Sequence, residues 1–513
     1  MHRVSLSILW TIFALGFFNF AAAQTPDAGW LPATPDNLPR WRGFNLLNKF
    51  MVGGNTPFDE ADFRMIHGWG FNFVRIPMDY RIWITNGDWT RINEDAAFRD
   101  LDQAVAWGEK YHVHICLNFH RAPGYTVADP PEARSLWTDP EAQRVCAMHW
   151  AAFARHFKGI SSERLSFNLF NEPPKIDGQT YAKVVALVAA AIRAEDPNRL
   201  IICDGLQWGN VPVPELIPLH VAQSLHDYAP IEVTHYHASW ISGSSNWPLP
   251  TWPLFGGVPG LLYGPEKPEF QSPLTLKRAF NDTFPTGTRL TLKVGTVSNR
   301  GHLVVRADNQ VIFEKAFVSG PVAKEGEKIV YKPEYKCYQN VFAQNERVTL
   351  TNAASEIAIS NDDGDWMTLA SLTVQVAPDK PIFPLPLSAE WGQKPPTMIF
   401  QPDVANQPWS GGGQWIDREW IYEHEIAPWR RLGNQGVGVM VGEWGCFNQT
   451  PYDVTLRWME DTLTHFKTMG WGWAMWNLKG SFGILDSDRP GAVYQDFEGH
   501  KLDTRMLQLL QEN

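Results

Sequence analysis

Ser166-Phe-Asn-Leu-Phe-Asn-Glu-Pro-Pro174 and, far along the chain, Val437-Gly-Val-Met-Val-Gly-Glu-Trp-Gly445 decide how this sequence is read. Each is an apolar, strand-like run that stops on a glutamate, Glu172 in the first and Glu443 in the second. A lone glutamate at a strand end is often an ion-pair partner. Two of them, so distant in sequence, make better sense together. A parallel barrel points the carboxyl ends of all its strands at one face.

Outward from these two runs the chain alternates between strand and helix. Apolar strand candidates lie at 41–48, 72–78, 112–120, 164–171, 200–207, 231–237, 437–443 and 472–477. Between them, residues 93–110 place Phe98, Leu101, Ala104, Val105 and Trp107 on one helical face behind a cap at Asn93. Residues 139–158 follow a cap at Asp139, residues 179–195 stop before Asp196-Pro197, and residues 452–469 stop at Gly470. Periodicity of this kind with such boundaries marks amphipathic helices. Eight strands separated by helices predict an α/β fold, the (β/α)8 TIM barrel.

The rhythm breaks once, between the sixth and seventh strands, over a stretch far longer than an ordinary connection. There the period changes to two. Arg289-Leu-Thr-Leu-Lys-Val294, His302-Leu-Val-Val-Arg306, Arg347-Val-Thr-Leu-Thr351 and Ser371-Leu-Thr-Val-Gln375 alternate, separated by turn signals such as Asp308-Asn309. The expected organisation is therefore a barrel over 41–264 and 381–513, with an all-β sandwich inserted at 265–380. Tyr335, Tyr338 and Trp366 are its candidate carbohydrate-contacting aromatics; a structural wall beside the barrel is the other reading. Asn361-Asp-Asp-Gly-Asp-Trp366 reads as a solvated turn rather than a calcium loop, since it lacks the EF-hand pattern.

The N-terminus carries Met1-His-Arg3, an apolar run from Val4 to Phe20 and Ala21-Ala-Ala23, the pattern of a signal peptide with cleavage after Ala23. A Pro-rich leader fills 24–40. The expected location is secreted or periplasmic. A formal net charge of −11 without a basic run argues against nucleic-acid and anionic membrane partners. The five cysteines include no C-x-x-C pair and read as buried free thiols. The 24 tryptophans exceed what a core needs, and an exposed indole stacks well on a sugar ring.

The expected strand ends carry residues that no core requires: Arg75, His120, Asn171, Glu172, His235, Tyr236, Glu443 and Trp476. Paired carboxylates facing each other across a site hydrolyse glycosidic bonds, one as acid/base and the other as nucleophile when they stand about 5–5.5 Å apart. A cation such as Arg75 beside one of them favours its ionised form. His112-Val-His114 has metal-ligand spacing but sits at the start of its strand, on the wrong rim. Neither a metal nor another cofactor is expected.

In order, Arg42-Gly-Phe-Asn45, Val74-Arg-Ile-Pro77, Asn118-Phe-His120, Asn171-Glu-Pro173, Thr234-His-Tyr236, Gly442-Glu-Trp-Gly445 and Trp473-Ala-Met-Trp-Asn477 make the chain resemble glycoside hydrolase family 5, over about 41–262 and 410–513. The resemblance implies Glu443 as nucleophile and Glu172 as acid/base. It implies Asn171 as donor to the sugar 2-hydroxyl, His120 lining the cleft and Trp476 stacking under the sugar. Many members carry His-x-Tyr on strand six. Here Thr234-His-Tyr-His237 leaves open whether Tyr236 or His237 takes the tyrosine's place, and His226-Asp-Tyr228 reads as a leader to the strand. The implied substrate is a β-linked polysaccharide and the implied activity that of an endo-β-1,4-glucanase. A β-mannanase, a xyloglucanase or an exo-acting β-glucosidase of the same family are alternatives, as is a non-catalytic glycan-binding protein.

Overall fold

The computed structural model describes residues 29–513 apart from 343, 389–390 and 405–407. The expected signal peptide, 1–23, and the start of the leader lie outside the described residues. Among the described residues no helix is long and apolar enough to cross a membrane.

Eight parallel strands close into a barrel: β1 (Arg42–Asn45), β2 (Phe73–Asp79), β3 (His114–Ala122), β4 (Leu165–Asn168), β5 (Ile201–Asp204), β6 (Ala222–Asp227), β7 (Val439–Trp444) and β8 (Trp473–Met475). Closure is made by β8 on β1, with Arg42 opposite Trp473. Strands β1 and β2 approach so closely that a Cβ on Gly43 would lie 1.7 Å from the Phe73 carbonyl oxygen. Only glycine fits there.

The barrel helices form where the periodicity placed them. Glu94–Tyr111 starts behind Asn93, whose side chain accepts from the Ala96 N–H, and buries Phe98, Leu101 and Ala104. Pro140–His156 is capped by Asp139, and Tyr452–Met469 ends on Gly470 in the left-handed region (φ 71°). Their apolar faces pack on the strands in one continuous core that includes Trp83, Trp150, Trp429, Trp444, Trp458 and Trp473.

One strand differs from expectation. Residues 231–237 are not strand six: Ile231–Thr234 is a short helix, and the sixth strand is Ala222–Asp227, paired with β5 and β7. The β-branched residues Ile231, Val233 and Thr234 mimic a strand, whereas the true one contains Gln223 and Ser224. Gln223 is buried because its amide donates to the Val213 carbonyl and accepts from the Val213 N–H, which removes the cost of placing a polar side chain in the core.

The insertion is a β-sandwich with its own core. One sheet contains Leu261–Tyr263, Arg289–Ser298, Cys337–Val341 and Trp366–Gln375. The other contains Leu274–Arg278, Arg300–Ala307, Gln310–Val318, Glu356–Gly364, Thr397–Phe400 and Trp409–Gly411. Leu290, Leu292 and Val294 alternate inward as their period-two pattern demands. Its core reaches from Val258 to Trp409, wider at both ends than the expected 265–380, because Met398, Phe400 and Trp409 pack into it. Leu254–Pro259 and Gln414–Ile416 pair antiparallel where the chain leaves and re-enters the barrel. The Asn361–Trp366 segment is extended rather than a calcium loop: Asp362 pairs with Arg306 at 2.6 Å and Asp363 with Arg300 at 3.1 Å. Trp366 is buried, Tyr338 half-buried and Tyr335 exposed. All five cysteines are buried free thiols.

Candidate active site

Glu443 is the next-to-last residue of β7, and Glu172 follows β4 by four residues. Oxygens of the two carboxyl groups and a nitrogen of His226 all lie within 4.8 Å of one another. Glu172 has φ 49°, the left-handed region that non-glycine residues seldom occupy. Strained backbone of this kind persists only where its surroundings hold it. Here the Glu172 N–H donates to Asp204 Oδ2 at 3.1 Å, and the Glu172 carbonyl accepts from the Tyr125 hydroxyl.

Arg75, buried on β2, joins four strands. Its guanidinium donates to Glu443 Oε1 at 2.6 Å, Asn171 Oδ1 at 2.8 Å, Asn168 Oδ1 at 2.9 Å and Asn45 Oδ1 at 3.0 Å, and lies 3.6 Å from Asp204. A buried cation needs this number of acceptors. Glu443 Oε2 accepts from the Tyr228 hydroxyl at 3.3 Å. Burial pushes the Glu443 carboxyl up, with Glu172 and Asp204 acting in the same sense, while His226 and Arg75 pull it down.

His226, on β6, is enclosed by carboxylates. Its Nδ1 is 3.0 Å from Glu172 Oε1 and 3.6 Å from Glu443 Oε2, and its Nε2 is 3.1 Å from Asp204 Oδ2. Burial disfavours its charge, but Glu443 and Asp204 outweigh this and push it up to about 10. Asp204 shifts the other way. Burial opposes its ionisation, yet His226 and Arg75 hold its carboxyl down at about 2. An imidazolium, protonated at both nitrogens and flanked by carboxylates on either side, has no lone pair for a metal, so the Glu172–His226–Glu443 cluster does not fit a cation site.

Beside these groups stand Asn171 and His120, both buried, and half-buried Trp476. The Asn171 Nδ2 and the His120 Nδ1 have no hydrogen-bond partner among the described residues. Burial and the nearby Arg75 keep His120 well below the usual histidine range and therefore neutral. The Trp476 ring lies 5.6 Å from His120, near parallel, and 5.4 Å from Phe50. Expected Arg75, His120, Asn171, Glu172, Glu443 and Trp476 thus share one face.

His235 and Tyr236 sit elsewhere than expected. The His235 ring is 4.9 Å from Tyr228 and 5.6 Å from Phe482, behind the tyrosine rather than against a carboxylate. Tyr236 stacks on His237 at 3.9 Å. The His-x-Tyr that reaches the glutamates is His226-Asp227-Tyr228. Asn45, Asn168 and Asp204 were not anticipated; an Asn or Asp at a strand end has no sequence neighbour that marks it. The other histidine pair is accounted for, since His114 bonds the Glu163 carbonyl and the Ser166 hydroxyl, each at 2.8 Å.

Residues 33–275 match the family model for cellulase (glycosyl hydrolase family 5). Endoglucanase C of Acetivibrio thermocellus is 27% identical over 209 residues, 39% of this chain, and the chain spans 60% of that protein's length. Cellodextrinase A of Ruminococcus flavefaciens is 23% identical over 286 residues, covering 52% of this chain and 76% of the relative. A solved structure of a glycoside hydrolase superposes with a TM-score of 0.59 at 27% identity, covering 92% of this chain and 99% of the other. Over residues 33–275 the chain is similar to the cellulases of glycosyl hydrolase family 5, and a β-sandwich interrupts its barrel.

Proposed function

We propose that this chain is an exported retaining glycoside hydrolase that cleaves β-linked glucan, in first place as an endo-β-1,4-glucanase. The carrying observation is the facing pair, Glu172 and Glu443, within 4.8 Å, the close approach that double displacement needs. Glu443 is the carboxylate with a cation 2.6 Å away, which suits the nucleophile. Its oxygen attacks the anomeric carbon while Glu172 gives its proton to the departing glycosidic oxygen. Water, losing a proton to Glu172, then attacks the same carbon and frees Glu443. Asn171 Nδ2 donates to the sugar 2-hydroxyl, a bond that tightens as the anomeric carbon gains positive charge. Trp476 stacks under the ring at the cleavage point, and His120 lines the cleft.

Relatives named endoglucanase and cellodextrinase support β-1,4-glucan as the substrate; the Ala21-Ala-Ala23 motif supports export. The test is product analysis on carboxymethylcellulose, mixed-linkage glucan, glucomannan, mannan, xyloglucan and laminarin, with Glu443→Gln as control. Cleavage of the β-1,4-glucans that is lost in the variant supports the reading. Turnover by the variant at the wild-type rate sinks it, and cleavage confined to mannan or xyloglucan reassigns the substrate within the same chemistry.

A further inference from the structure

Asp204 ends β5, is fully buried, and reaches Glu172 by two routes, its backbone N–H directly and its carboxyl group through His226. Its Oδ2 accepts from the Glu172 backbone N–H at 3.1 Å and lies 3.1 Å from His226 Nε2, while the opposite nitrogen of that imidazole meets the Glu172 carboxyl at 3.0 Å. Backbone, carboxylate, imidazole and carboxyl group thus form a closed ring. Its Oδ1 is fixed by the Asn168 amide at 2.8 Å, and that asparagine is held in turn by Asn118 at 2.8 Å and Arg75 at 2.9 Å.

We propose that Asp204 is a positioning residue for proton transfer: it holds the left-handed backbone of Glu172 and the imidazole facing its carboxyl group, and so sets where that group meets the leaving oxygen. The inference rests on the reading of Glu172 as acid/base. The Glu172 N–H is not placed by the sheet ladder, since β4 stops at Asn168. A simpler role, counter-ion to Arg75, fits the geometry less well. Arg75 is 3.6 Å from Asp204 but 2.6 Å from Glu443. A counter-ion would act through the nucleophile, whereas a positioning residue acts on the acid.

The two roles separate by leaving group. Departure of 2,4-dinitrophenolate needs no proton, and departure of phenolate does. Asp204→Asn keeps one acceptor but presents an amide to either Glu172 N–H or His226. The expected result is a fall of at least about 30-fold in kcat/KM on phenyl β-cellobioside, a part of the roughly 10²–10⁴-fold that general acid catalysis supplies, with 2,4-dinitrophenyl β-cellobioside within about threefold of wild type. Both rates come from one preparation, so a partly unfolded fraction cancels in their ratio. Asp204→Glu, which keeps the charge but displaces the carboxylate by a methylene, is read in the same way should the Asn variant not fold. Equal losses on the two glycosides, or no loss on either, overturn the positioning role and leave the hydrolase reading standing. Wild-type protein inert on both glycosides and on the polysaccharides overturns the hydrolase reading and this inference with it.

Discussion

The Arg75 guanidinium holds Glu443 and Asn171 at once, donating to the Glu443 carboxylate at 2.6 Å and to the Asn171 amide oxygen at 2.8 Å. By engaging the oxygen of Asn171 it leaves that residue's NH2 turned away from the guanidinium, without a hydrogen-bond partner among the described residues. One buried cation therefore orients the proposed nucleophile and the proposed 2-hydroxyl donor together.

Removing that cation strands a buried carboxylate. Breaking a buried pair by deleting one partner costs about 3–5 kcal/mol. Arg75→Ala is expected to lower the free energy of unfolding by this amount and to lower kcat at least 100-fold. Urea denaturation and turnover on carboxymethylcellulose measure the two effects. A variant with wild-type kcat would show that Arg75 is structural only.

Two tyrosines are distinguished by their neighbours. Tyr228 donates to Glu443 at 3.3 Å, while Tyr236 stacks on His237 and touches neither glutamate. Losing one hydrogen bond to a charged group costs about 1.5–3 kcal/mol, so Tyr228→Phe is expected to lower kcat by about tenfold or more. Tyr236→Phe is expected to stay within twofold. The reverse ranking would restore the 231–237 segment to the site.

The contrast between these tyrosines shows what was legible before the fold was known. Seven of the eight barrel strands, the helices with side-chain caps and the period-two insertion announce themselves through side-chain spacing, which is a local property. Glu172, Glu443, Arg75 and Asn171 were found because they end or sit in such runs. Strand six was misplaced because β-branched Ile231, Val233 and Thr234 outscore Gln223 and Ser224, and only the Val213 backbone explains why Gln223 can be buried. Asp204 was invisible for a different reason: its partners Glu172, His226, Asn168 and Arg75 lie on or just after other strands, and only barrel closure brings them to it.

His226 makes stability depend on alkaline pH. Its folded-state value near 10 lies above the ordinary 6.5, so the charged form is the one the fold favours. The resulting stabilisation is fully present below about pH 6.5 and is lost as pH rises through 10. The buried histidines His114, His120, His149 and His235 are all shifted downward and act at lower pH. The denaturation midpoint should therefore fall between pH 7 and 10 in the wild type and fall less in His226→Gln. Parallel pH dependences in the two proteins would count against a charged His226.

Gly442 tests how tightly the site is packed around that imidazole. A Cβ at this position would lie 2.4 Å from the Ser224 hydroxyl and 3.1 Å from His226 Nε2. The serine oxygen can rotate away. The imidazole cannot, because Asp204 and Glu172 hold both of its nitrogens. Overpacking of this kind costs about 1–3 kcal/mol. Gly442→Ala is expected to lose that much stability and, because the strain falls on the ring that faces both glutamates, to lose kcat by more than its melting temperature alone accounts for. Turnover at a temperature where both proteins are fully folded separates the two effects: an unchanged kcat there would mean that His226 moves without consequence for the chemistry.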